Sequence, residues 1–318
     1  MTFLKSISVI AATAIVIGTA ATAETRVTYK SAKAGSSYYQ MAVQLAEAMK
    51  AGTGGDVSVT VEESQGSVQN VMEVRARGGD YVFTTPPALI DLAQNGKAMF
   101  EGKSDPSFGE IRALFPIPSL TMHFVMSEAS GVKSFADMEG KTILLGSGSF
   151  GAREGAKYLG LFGLEDKVTL ADSELSNAVN ALKNGQIDGF VTAGSYPAPN
   201  VIEAAASTGV TVMSLDADQI ALTKRTQLTI PAGTYAGQSQ DITTTSLPVV
   251  AYTTAKMDED TAYLLTKTYW ENKADMAGDA AWWAGVSVDM LSNITSQIHP
   301  GAIRYYKEVG ATLSDAHM

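Results

Sequence analysis

The stretch Arg26-Val27-Thr28-Tyr29-Lys30-Ser31-Ala32-Lys33-Ala34-Gly35-Ser36-Ser37-Tyr38-Tyr39-Gln40-Met41 sets the reading of the whole chain. Residues 26–31 read as a strand and 34–37 as a turn, after which Tyr38, Met41, Leu45 and Met49 recur at helical spacing. The unit is a strand, a short Gly/Ser/Thr loop, and the N-terminus of a helix. It returns at 57–61, followed by Ser64-Gln65-Gly66-Ser67 and a helix through Val68, Val71 and Val74. A third strand at 81–83 leads into Thr84-Thr85-Pro86-Pro87, where a proline suits the first helical turn. Segments 141–145, 168–170, 187–191 and 210–215 continue the scheme. Leu175, Ala178, Val179 and Leu182 form an apolar stripe that Gly185 ends. Such alternation implies an α/β protein with mainly parallel sheets and helices on both faces.

Working outward, 111–118 is proline-rich, 122–126 is apolar, and a later extended run, 247–254, precedes a helix over 258–272. These segments suggest two lobes, the chain crossing between them near 120–126 and again near 247–254 to form a hinge. Lobe one then holds 24–122, lobe two 123–249, and 250–318 returns to lobe one with the C-terminal helices. A simple tandem of two domains fits the same pattern.

Composition narrows the function. The 318 residues suit about two domains. A formal charge of −10 argues against nucleic acid as a main partner. Without cysteine there are no disulfides, zinc–thiolate sites, iron–sulfur clusters or thiol nucleophiles. His123, His299 and His317 are the only imidazoles, too few for a multi-histidine metal site. At the N-terminus Lys5, an apolar run at 7–17 and Ala21-Thr22-Ala23 make a signal peptide, with cleavage expected after Ala23. The run falls short of the ~20 residues that span a bilayer. The expected product is a periplasmic protein without stable membrane insertion.

A helix N-terminus offers unpaired N–H groups and the positive end of its dipole, so it attracts anions. The loops that would do so are Gly35-Ser36-Ser37-Tyr38, Ser64-Gln65-Gly66-Ser67, Thr84-Thr85, 146–153 and Ala193-Gly194-Ser195-Tyr196. In parallel sheets such loops gather at the carboxyl ends of the strands. Ordinary N-capping accounts for any one of them. Five of one type, divided between two lobes, favour a cleft that closes on a small anion.

Gly146-Ser147-Gly148-Ser149-Phe150-Gly151 is a complete G-x-G-x-x-G, and Asp172 stands where a ribose-binding acid belongs. It supports a competing reading, an exported dinucleotide-dependent oxidoreductase or a hydrolase built on this loop. Export, the mid-chain position and the lack of a proton-transfer constellation weigh against it, and capping of the next helix explains Asp172. No cofactor is expected. His123, in an apolar strand, reads as a core or hinge histidine, and Trp282-Trp283 as packing.

Gly35-Ser36-Ser37-Tyr38-Tyr39, Gly66-Ser67-Val68-Gln69-Asn70, the 181–189 stretch, Pro231-Ala232-Gly233-Thr234-Tyr235 and above all 299–310 resemble the TAXI family of solute-binding proteins, receptors of TRAP transporters. The resemblance covers the chain from end to end of its expected mature part. It implies a two-lobed periplasmic-binding-protein fold of type II-like form. It also implies capture of a small carboxylate and delivery to a TRAP-type membrane permease. Ser36, Ser37, Tyr38, Gly66 and Ser67 match the family's first loops. The expected ligand set adds Ser64, Thr85, Ser147, Ser149, Phe150, Arg153, Ser195, Tyr196 and Tyr235. Where the family usually reads Ser-Gly-Thr this chain has Phe150-Gly151-Ala152. An acid near Phe115-Pro116-Ile117-Pro118 and a Gln-x-Asp segment at Thr84-Thr85-Pro86 are absent. These departures suggest a less polar anion. Arg153 holds its carboxylate if it points inward, or is a solvated surface cation if it lies on the outer helix face.

Overall fold

In the computed structural model, which describes residues 24–147 and 149–318, β1 (Thr25–Lys30) lies between β2 (Val57–Glu62) and β3 (Tyr81–Thr85), parallel to both. The expected export segment, 1–23, lies outside the described residues. α1 (Ser37–Gly52) follows β1 and buries Tyr38, Met41, Leu45 and Met49, the stripe its spacing announces. Leu45 and Met49 meet Val27, Tyr29 and Val82 of the sheet, with Leu265 from a later helix. α2 (Ser67–Glu73) lies over β3, where Asn70 Nδ2 donates to the carbonyls of Ser31 and Thr84. α3 (Pro87–Gln94) starts on the expected proline. Thr84 and Thr85, expected in a loop, belong to β3 instead. The partner strand extends the ladder, pairing Val250 with Thr85.

Next comes β4 (Ile111–Ser127), long enough to serve both halves of the molecule. The second half follows: β5 (Thr142–Leu144), α4 (Phe150–Leu161), β6 (Thr169–Ala171), α5 (Ala178–Lys183), β7 (Gly189–Gly194), α6 (Pro199–Thr208), β8 (Val210–Val212), α7 (Ala217–Thr223) and β9 (Thr226–Ile230). β5 runs parallel between β6 and β7, and β7 pairs antiparallel with residues 121–126 of β4. β8 and β9 pair with β4 and with β10 (Ile242–Thr254). β10 lies antiparallel to β4 in both halves. α8 (Glu259–Asp279) and α9 (Pro300–Glu308) then return to the first sheet. The strand order is β2-β1-β3-β10-β4-β7-β5-β6.

The change of lobe falls at an interruption in the β4–β10 ladder. Leu247 faces Leu120 and Val249 faces Ile117, so Pro118 and Ser119 stand opposite Pro248 alone. Such a bulge bends a strand and increases its twist. Before Thr121, β4 has β10 as its only ladder partner among the described residues, and its other edge is finished by the 297–299 backbone, which brackets Ala113, and by side chains. Tyr306 Oη donates to Leu114 O at 2.8 Å, Tyr269 Oη to Pro116 O at 2.8 Å, and Tyr38 Oη to Pro118 O at 2.9 Å. Alternate residues of a strand turn their polar groups to the same side. Pro116 and Pro118 therefore face this edge, where a missing N–H breaks no ladder.

The C-terminal segment also fixes α1. Both indole N–H groups of Trp282 and Trp283 donate to Gln44 Oε1, at 3.1 and 2.7 Å. Trp283 is fully buried, in keeping with a packing role.

Because Tyr269 is buried, Tyr269→Phe leaves the Pro116 carbonyl without its partner. Urea unfolding of that variant is expected to show a loss of about 1–3 kcal/mol with an unchanged slope.

Candidate functional site

The loops that leave the carboxyl ends of β1 and β2 face those of β5 and β6, with Val191 and Ala193 of β7 between, across a partly open cavity of about 60 Å³. Three helix starts converge there: Ser36 before α1, Gly66-Ser67 at α2, and Ser149-Phe150-Gly151 at α4.

The three starts differ. Ser36 Oγ accepts from Tyr39 N and donates to Lys33 O, and Ser149 Oγ accepts from Ala152 N and donates to Gly146 O. Both hydroxyls are thus committed to capping their own helices. α2 has no side-chain cap, so its first N–H groups stay open, and the Ser67 hydroxyl lines the cavity beside them. Gly66 has φ +101°, and a Cβ there would sit 4.0 Å from Phe150 N of the opposite lobe. Glycine is the residue that takes this backbone without strain and lets the two loops meet.

The remaining walls are Leu120, Leu175, Val191, Ala193 and Val249, with Thr84 and Gln65 adding polar groups. Lys33 and Glu174 are the only charged residues among the described lining. They join each other across the cleft, Nζ to carboxylate, at 3.1 Å. Lys33, Ser36 and Leu175 also border a neighbouring groove of about 330 Å³.

Of the residues singled out from sequence, Ser36, Tyr38, Gly66, Ser67, Ser147, Ser149 and Phe150 line the cavity. Seven others lie elsewhere, each for a stated reason. Ser37 Oγ accepts from Ser195 N at 3.0 Å, and Ser195 Oγ donates to Ser119 O at 2.7 Å, so these two serines tie the lobes to each other. Tyr196 borders a separate hollow with Pro118 and Trp282. Ser64 Oγ donates to Ser31 O and accepts from Gly66 N, shaping the α2 loop. Thr85 is buried within β3. Arg153 is exposed and absent from the lining, the surface alternative of the two. Tyr235 is buried in lobe two, where its Oη accepts from Ala198 N and bonds His123 Nε2 at 2.8 Å.

The glycine-rich loop also has an internal account. A Cβ on Gly146 would approach Leu175 Cβ to 2.8 Å, and Gly148 lies outside the described residues. Asp172 caps no helix, contrary to expectation. It accepts from Ser147 Oγ at 3.1 Å, while Glu174 occupies the cap position of the turn Leu175–Asn177 without a side-chain bond. Sequence reading missed Lys33, Gln65, Thr84 and Glu174. The first three sit in the strand-end segments already quoted, and Glu174 ends a loop of the same kind after β6. Leu120, Val191 and Val249 carry no signal that separates a cavity wall from core.

A family model described as the NMT1-like family matches residues 30–310. Among solved structures, the periplasmic binding protein BugD is similar over 90% of this chain and 98% of its own, with 12% identity and a TM-score of 0.58. MatC from Rhodopseudomonas palustris, solved with bound malate, is similar over 90% of this chain and 97% of its own, with 12% identity and a TM-score of 0.56. At such identity the likeness is one of fold: the two-lobed periplasmic-binding-protein fold, with a curled, parallel-rich sheet. No helix among the described residues is long and apolar enough to cross a membrane.

His123 supplies a pH test of the lobe-two core. Its Nδ1 bonds Thr121 O at 3.2 Å, and burial lowers its pKa from 6.5 to about 4. A depressed imidazole pKa means that the unfolded chain binds the proton first. The stability is therefore complete above pH ~6.5 and is lost as pH falls toward 4, by about 3 kcal/mol in all. Urea unfolding at both ends of this window is expected to show that loss. In His123→Gln the loss is expected to be smaller by a similar amount.

Proposed function

The chain belongs to the NMT1-like family, and on that premise we propose that it is a periplasmic solute-binding protein, freed from residues 1–23, which captures a small carboxylate without turning it over. The observation that carries this reading is the convergence of an uncapped α2 start and the α4 start, from opposite lobes, on one cavity. Open backbone N–H groups at helix ends favour an anion, and a site divided between two lobes couples occupancy to closure. The malate held by MatC, a protein of the same fold, supports a carboxylate. The first-loop, 181–189 and 299–310 segments support delivery to a TRAP-type permease, which would read the closed form.

Calorimetric titration of the protein from Glu24 onward with organic acids tests the site. Ser67→Ala is expected to weaken binding about 5–30-fold, the loss of one hydrogen bond to a charged group at ~1–2 kcal/mol. Arg153→Ala is expected to leave affinity within about twofold, as an exposed charge away from the cavity should. The transport role is tested separately: deleting the gene is expected to abolish uptake of the labelled acid, and restoring it to bring uptake back. Unchanged uptake in the deletion strain would remove the role.

A further inference from the structure

We infer that Glu174 makes the cleft selective for a monocarboxylate with an apolar body and excludes a second negative charge. The inference rests on the carboxylate reading above and narrows it.

Three observations lead there. The described lining carries one cation and one anion, and they are paired with each other at 3.1 Å, so the cavity has no net charge to offer a dianion. Of the charged pairs among the described residues, Lys33–Glu174 is the one that joins the two lobes. Its side chains are 22% and 50% exposed, which places Glu174 at the cleft border, in contact with solvent. Away from the helix starts, the lining includes five aliphatic residues, Leu120, Leu175, Val191, Ala193 and Val249.

A first carboxylate can be held by backbone N–H groups and the Ser67 hydroxyl. A second would meet mostly aliphatic carbon, with Gln65 the main neutral donor left to it, or would lie beside the Glu174 carboxylate. Either place costs desolvation or like-charge repulsion. The cavity of about 60 Å³ suits a short chain with few heavy atoms beyond the head group. Lys33 does not offset this, because its charge is already met by Glu174, and Arg153 is out of reach on the exposed face of α4.

The test is Glu174→Gln, which keeps the shape of the side chain, removes its charge and frees Lys33. Wild type and variant are titrated at matched ionic strength with propanoate through hexanoate, each against the dicarboxylate of equal chain length. Wild type is expected to bind its best monocarboxylate at least about tenfold more tightly than the matched dicarboxylate. In the variant the dicarboxylate is expected to gain about five- to tenfold, with the monocarboxylate changing less than about threefold. A wild-type preference for the dicarboxylate, or equal movement of both acids in the variant, overturns the selectivity and leaves carboxylate capture standing. Failure of every acid to bind wild type overturns both.

Discussion

A sheet edge must be satisfied by something, and in this molecule that requirement falls on residues 111–118 of β4. Among the described residues, until Thr121 recruits β7, β4 has β10 on one side and only the Ala113–Ile298 bridge on the other. Phenol hydroxyls from α9, α8 and α1 take the carbonyls of Leu114, Pro116 and Pro118 in turn, and His299 N bonds Ala113 O. Those bonds seat three helices against one strand, among them α1, one of the three helices that start at the cavity. Where the tyrosines end, the strand bulges at Pro118-Ser119 and the second lobe begins. Ser195 then takes the Ser119 carbonyl from the far side. The placement of one lobe against the other depends on how this strand and β10 beside it are held.

The cavity follows from the same arrangement. Two of its three helix starts are closed by their own serines, which fixes loop shape and leaves those hydroxyls little to give a ligand. The third is open and starts from a glycine at positive φ, within reach of the opposite lobe. Neutral donors facing an apolar wall bind through direction more than through net charge. An isolated surface ion pair contributes little stability. The Lys33–Glu174 pair therefore matters more for the charge it withdraws from the cleft than for holding the lobes together.

Strand and helix were legible where periodicity was strong: α1 and β2 lie within a residue or two of their expected places, and the 175–182 stripe is buried apart from Leu175. Boundaries moved where pairing partners came from far along the chain, as when β10 drew Thr84 and Thr85 into β3. The loops were legible as a class, since Gly, Ser and Thr at strand ends have a local reason to be there. Their individual roles were not. Whether a serine caps its helix or faces a ligand depends on a rotamer, and whether Arg153 points inward depends on the angle at which α4 meets the sheet. Tyr235 shows the limit most clearly, because its partner His123 lies 112 residues away in the chain.

Lobe one is made from the two ends of the chain, with β3 paired to β10 and Ala113 bridged to Ile298. The consequence is kinetic. Most of lobe two comes from one continuous stretch and can condense from nearby contacts. The N-terminal strands must wait for residues beyond 240 before their sheet is complete. Closing so long a loop carries an entropic cost that slows the last step and leaves β3 and β4 exposed until then. In chain-entropy terms, the pairing of β3 with β10 and the bridge from Ala113 to Ile298 are thus among the costliest contacts of the fold to close.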